Sequence, residues 1–151
     1  MEDLEARFGT LVVSPVYESV AVGFQGDNFL NLVVGITTAL PPPRLVRELR
    51  LIEERHGRQR GADKFTPRSL DIDLLTYGDQ VIDDGGIQVP RGEILRYAFV
   101  LRPLAEVAGE ERHPLTGQTY RSLWQAFDAA AQPLWPVEGM GRGGSEGARA
   151  R

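Results

Sequence analysis

Two carboxylates two residues apart, Asp71 and Asp73, lie inside the run Lys64-Phe-Thr-Pro-Arg-Ser-Leu-Asp-Ile-Asp-Leu-Leu-Thr-Tyr77. On the two-residue period of a strand they share one face, while Leu70, Ile72 and Leu74 take the other. Neighbouring carboxylates repel unless a cation sits between or above them, so the pair is costly as decoration and sensible as a cradle for a divalent metal. Arg68 stands just upstream, after Pro67, on an extended approach. Carboxylates, metal and guanidinium are the parts that hold and neutralise a polyphosphate. The segment before them, 58–66, is polar and basic, with Arg58, Arg60 and Lys64.

Several elements must position these groups. Glu2 to Phe8 reads as the end of a helix stopped by Gly9, and Leu11 to Tyr17 as a strand. Asn28 to Thr38, rich in Val, Leu, Ile and Thr, reads as a second strand. Pro41-Pro42-Pro43 ends it and opens a helix from about Arg44 to His56, with Leu45, Leu49 and Ile52 as its apolar stripe. The carboxylate strand runs from Ser69 to Tyr77, and Val81 to Pro90 forms a hairpin around Asp84-Gly85-Gly86. Ala98 to Ala108 reads as partly helical and interrupted at Pro103, Tyr120 to Ala131 as a helix, and Leu134 to Val137 as a short edge strand. This order predicts an α+β sandwich, with helices covering one face of a mainly antiparallel sheet. One domain is expected over 1–137, and 138–151 as a disordered Gly/Arg-rich tail.

Composition narrows the functions. A net charge of -4 gives no electrostatic case for nucleic acid or an anionic membrane. The absence of cysteine excludes disulfides, thiolate chemistry and zinc-thiolate sites. The apolar run Phe29 to Ile36 is broken by Asn31 and too short to span a bilayer. The N-terminus is acidic where a secretory signal would be basic, so the expectation is a cytoplasmic enzyme or binding domain. His56 and His113 lack metal spacing, and Trp124 and Trp135 read as packing. Gly139-x-Gly141-x-x-Gly144 opens no strand-helix-strand unit and reads as chance; no phosphate-binding Gly-rich loop ending in Gly-Lys-Ser/Thr occurs.

The run from Lys64 to Gly78 resembles the signature of the 6-hydroxymethyl-7,8-dihydropterin pyrophosphokinases, roughly aromatic-Gly-Pro-Arg-Thr/Ser-Leu-Asp-hydrophobic-Asp. Ser14-Pro-Val-Tyr-Glu-Ser19, Phe29-Leu-Asn31, Ile52-Glu53 to Arg58, Val89-Pro90 and Phe99-Val-Leu-Arg-Pro-Leu104 match further blocks in order, so the similarity covers roughly Leu4 to Phe127. The resemblance implies a ferredoxin-like α+β sandwich and transfer of pyrophosphate from ATP to a reduced pterin alcohol in folate biosynthesis, releasing AMP. It implies that Asp71 and Asp73 hold two Mg2+ ions and that Arg58 and Arg68 are the catalytic arginines. Arg50, Glu53, Arg60 and Arg91 would serve the nucleotide. Asn31 would bond the pterin edge, Phe29 and Phe99 would stack on its faces, and Ser19 and Val22 would line the same pocket. The basic loop Arg58 to Thr66 would close over the phosphates. The implied partners are small molecules, and the implied state is a monomer.

The chain departs from that pattern in places. Thr66 replaces a glycine and Phe65 stands where tryptophan is frequent; Gly61 sits at a position often basic, Arg91 at a usual histidine, and Tyr97 at an arginine. The family's opening strand, ending in Gly-Ser-Asn, has no counterpart after Met1; its loss would strand backbone groups on two neighbouring strands. A start upstream of Met1 is the favoured explanation, and a shortened relative the other. Two rival readings stay open: the same chemistry on a different pterin alcohol, and a pterin-binding relative without catalysis.

Overall fold

Apolar residues run almost unbroken from Leu30 to Ile36, and a strand of that kind needs cover on both faces. A computed structural model, which describes residues 2–20, 28–59, 71–137 and 145–150, provides it. Its elements are α1 (Glu2–Phe8), β1 (Val12–Val13), β2 (Tyr17–Ser19), β3 (Phe29–Ile36), α2 (Pro42–Gln59), β4 (Ile72–Tyr77), β5 (Ile82–Asp84), β6 (Ile87–Val89), α3 (Glu93–Arg96), α4 (Ala98–Ala108), α5 (Tyr120–Ala126), β7 (Leu134–Pro136) and β8 (Ser145–Ala150). The main sheet has the order β4-β8-β3-β2-β7, with β1 also paired to β3. Pairs β1–β3, β2–β3 and β2–β7 are antiparallel, whereas β8 runs parallel to both neighbours.

The α+β class holds, but helices cover both faces rather than one. Leu32, Val34, Ile36, Ile72 and Leu74 pack on one side with Leu4 of α1 and Leu45, Leu49 and Ile52 of α2. Val33 and Leu75 pack on the other with Ile94, Leu101, Leu104, Val107 and Tyr120. Leu45 and Leu49 are both 0% exposed, and full burial of each stabilises the fold by about 1.5–3 kcal/mol. Pro42 and Pro43 start α2 where a missing N–H costs nothing, so this helix begins earlier than the sequence suggested.

Other expectations are corrected by local physics. The strand expected over Leu11 to Tyr17 is split into β1 and β2, because Pro15 has no N–H for the ladder. Ser14 bridges the break: its Oγ accepts from the Val33 amide at 2.9 Å and donates to the Pro15 carbonyl at 2.8 Å. Ala98 to Ala108 is one helix through Pro103, since burial of Leu101, Leu104, Val107 and Ala108 outweighs one lost backbone bond. Helix α5 stops at Ala126 instead of Ala131, where Phe127 turns extended. The β5–β6 hairpin turns through Gly85 and Gly86 at φ 61 and 82, values that suit glycine.

The largest correction concerns the tail. Residues 145–150, read from composition as disordered, form β8 between β3 and β4. Backbone groups on two facing strand edges need partners whatever the side chains are, and composition does not register that demand. The backbone groups expected to lie stranded between two neighbours are paired by β8. In a strand paired on both sides, Ala148→Pro deletes a ladder bond. It should lower unfolding free energy by about 3 kcal/mol or more, measured by urea titration.

His113 is buried, 2% exposed, against the edge of Tyr120. Its Nδ1 accepts from the amides of Leu115 at 3.2 Å and Thr116 at 3.3 Å, which requires that nitrogen to be unprotonated. Burial pushes the imidazole below its ordinary range. The unfolded chain therefore takes up the proton first as pH falls; His113 contributes its full stability above about pH 6.5 and loses it below. Unfolding midpoints should drop between about pH 7.5 and about pH 5.5, and His113→Asn should flatten that part of the profile.

Candidate active site

Burying Ile72 and Leu74 in the α2 core turns Asp71, Asp73 and Leu75 to the other face of β4. On β3 the same alternation sets Phe29, Asn31 and Val33 toward that side. The two rows flank β8, roughly 9–10 Å apart at ordinary strand spacing. Phe99 and Val100 of α4, with Arg91 and Glu93 from the turn into α3, close the space above them. The result is a cavity of about 400 Å³. Leu32, Val33, Leu75 and Val100 give it apolar walls, with the polar groups few and convergent.

Two residues on α2 hold β4 in register. Glu53 accepts from the Ile72 amide at 2.5 Å, and Arg50 donates to the Ile72 carbonyl at 3.1 Å while bonding Glu53 at 2.5 Å. Both backbone groups of the residue between the two aspartates are thus fixed by side chains. Arg50 and Glu53, expected at the nucleotide, form this clamp and do not line the cavity.

Asp71 is exposed and Asp73 half-buried. Among the described residues neither takes part in an ion pair. Nor do three His, Asp or Glu among those residues form a self-sufficient metal cage. Magnesium suits such a place: it keeps waters and takes one or two carboxylates plus substrate phosphates. The donor set fits that ion.

In the same lining, Arg91 Nε and Nη2 donate to Glu93 Oε2 at 3.0 and 2.5 Å, and the Arg91 amide donates to the Leu75 carbonyl at 3.0 Å. Partial burial acts to raise the Glu93 carboxyl, but the Arg91 hydrogen bond, the backbone and the charges of Arg91 and Arg96 outweigh it and hold the group below its usual range. Glu93 was missed by sequence reading; a carboxylate two residues after Arg91 was its only signal.

The structure brings Phe29, Asn31, Asp71, Asp73, Arg91 and Phe99 to one cavity. Ser19 sits instead in a neighbouring space of about 150 Å³, with Val20, Ala98, Gln132 and Pro133, and Phe99 is the shared wall. β2 pairs with the far edge of β3, which sets Ser19 off the main cavity. Its Oγ is buried without a hydrogen-bond partner among the described residues. Arg58 falls in the last turn of α2. Val22, Arg60 and Arg68 lie outside the described residues.

The family pattern described as 7,8-dihydro-6-hydroxymethylpterin-pyrophosphokinase matches residues 1–109. A protein of Synechocystis sp. named 2-amino-4-hydroxy-6-hydroxymethyldihydropteridine pyrophosphokinase is 37% identical over 130 residues, covering 85% of this chain and 65% of the relative. The protein of that name from Aquifex aeolicus is 36% identical over 116 residues, 76% of this chain and 72% of the relative. The folic acid synthesis protein fol1 of Pneumocystis carinii is 35% identical over 128 residues, 83% of this chain but 17% of that protein. The chain thus spans about two thirds of the Synechocystis relative.

Releasing the clamp should loosen the carboxylates. Glu53→Ala is expected to cost about 1.5–3 kcal/mol of stability, the worth of a hydrogen bond to a charged group. It should also weaken Mn2+ binding to the Asp71/Asp73 pair, read by urea unfolding and paramagnetic titration.

Proposed function

Because the chain belongs to the 7,8-dihydro-6-hydroxymethylpterin pyrophosphokinase family, we propose that it transfers pyrophosphate from ATP to the hydroxymethyl group of 6-hydroxymethyl-7,8-dihydropterin in folate biosynthesis, releasing AMP. One observation carries this reading: a single cavity is lined both by an aromatic-and-amide set, Phe29, Asn31 and Phe99, and by a carboxylate-and-guanidinium set, Asp71, Asp73 and Arg91.

Each set suits one substrate. A pterin is flat and rich in donors and acceptors, so it calls for aromatic faces and an amide that both gives and takes hydrogen bonds. Asn31 meets the ring edge and Phe29 and Phe99 its faces, and the family resemblance assigns Ser19 and Val22 to the same ligand. Two magnesium ions held by Asp71 and Asp73 would neutralise the triphosphate. Arg91 and Arg60 bind the phosphates, Arg50 and Glu53 steady the carboxylate strand through Ile72, and Arg58 and Arg68 offset charge on the transferring group.

In the reaction, the pterin hydroxyl oxygen attacks the β-phosphorus in line. The bond from that phosphorus to the α,β-bridging oxygen breaks, AMP departs, and the hydroxyl proton is released to water. Positioning and charge neutralisation do most of the work in such a transfer. The protein is taken to act as a monomer on small molecules in the cytoplasm. Among the described residues no helix is long and apolar enough to cross a membrane.

The test is AMP release from ATP, magnesium and the pterin alcohol. Asp71→Ala and Asp73→Ala should each lower kcat by about 10²–10³, and the double variant should be inactive. AMP output that survives removal of both carboxylates would overturn the proposal.

A further inference from the structure

Of five N–H groups on the Arg91 guanidinium, two are spent on Glu93 Oε2, and among the described residues the other three have no side-chain partner. Glu93 Oε1 lies 3.9 Å from Arg96 Nη2, so the carboxylate also faces a second, more exposed arginine. Arg91 and Glu93 line the same cavity as Asp71 and Asp73 rather than the outer surface. An untethered arginine beside two carboxylates that have no ion-pair partner among the described residues would be drawn to them, occupying the groups that must receive cations.

We infer that Glu93 is a positioning residue: it pins Arg91 to the cavity wall, keeps it off Asp71 and Asp73, and aims its remaining N–H groups at the polyphosphate of the nucleotide. This deepens the proposed function and rests on it. The backbone tether from the Arg91 amide to Leu75 supports the same geometry, fixing the root of the side chain as Glu93 fixes its tip.

The experiment compares wild type, Glu93→Gln, Glu93→Ala, Arg91→Ala and the Glu93→Ala/Arg91→Ala pair. Glu93→Gln keeps the size of the side chain and removes only its charge. Binding of a nonhydrolysable ATP analogue with magnesium is read by calorimetry, and the kcat–KM split by AMP release. The Arg91 Nε–H resonance, identified by its loss in Arg91→Ala, is followed by NMR. Either Glu93 variant should weaken nucleotide binding on the order of tenfold and raise KM far more than it lowers kcat, with the Nε–H resonance shifted or exchange-broadened. In the Arg91→Ala background, Glu93→Ala should add less than about twofold, since coupled residues are not additive.

Wild-type nucleotide affinity in both Glu93 variants, or equal losses with and without Arg91, would overturn the inference. So would an Nε–H resonance indifferent to Glu93→Gln. Failure of the wild type to bind nucleotide at all would instead overturn the proposed function, with the resonance still reporting whether the pair exists.

Discussion

A strand has two faces, and this site depends on which residues of β4 take which. Ile72 and Leu74 are drawn into the α2 core, so Asp71 and Asp73 turn to the cavity, where their charge stays in contact with water. A slip of one residue would exchange the sets, burying two carboxylates and exposing two aliphatics. The apolar preference alone makes that slip unfavourable. The clamp from Glu53 and Arg50 onto both backbone groups of Ile72 adds directional bonds to the same choice. Core packing and site geometry are therefore one constraint seen from opposite sides of the sheet.

The cavity's electrostatics follow from what is paired and what is not. Glu93 is satisfied by arginines and held ionised. Asp71 and Asp73 have no ion-pair partner among the described residues. A cavity that holds both spare negative charge and a restrained guanidinium can take a cation and a polyanion together, each making the other's entry more favourable. Its apolar walls strengthen those attractions by keeping the local dielectric low.

Much of this was legible in the sequence because it depends on short periods. The shared face of Asp71 and Asp73 and the Leu45, Leu49, Ile52 stripe follow from strand and helix spacing, and the structure agrees. What escaped depends on long-range arrangement. The Glu53 clamp joins residues 19 positions apart through a helix–strand contact. Ser19 faces a separate space because β2 lies beyond β3. Glu93 matters because a short turn folds it back on Arg91. Pro103 looked like a helix breaker because local propensity cannot see the buried face that overrides it. Cover on both faces of the sheet is what the apolar run in β3, interrupted only by Asn31 and Gly35, calls for.

Strand β8 also gives the fold a kinetic character. Its residues pair with positions of β3 more than a hundred places earlier in the chain, so closing the middle of the sheet means bringing together two distant segments. Distant strand pairing of this kind is slow, because chain entropy must be lost before any bond rewards it. Until then β3 and β4 present bare facing edges to the surroundings, the surfaces on which nascent chains most readily associate with the wrong strand. Conditions that shorten the time those edges stand open should therefore favour the native sheet over wrong association.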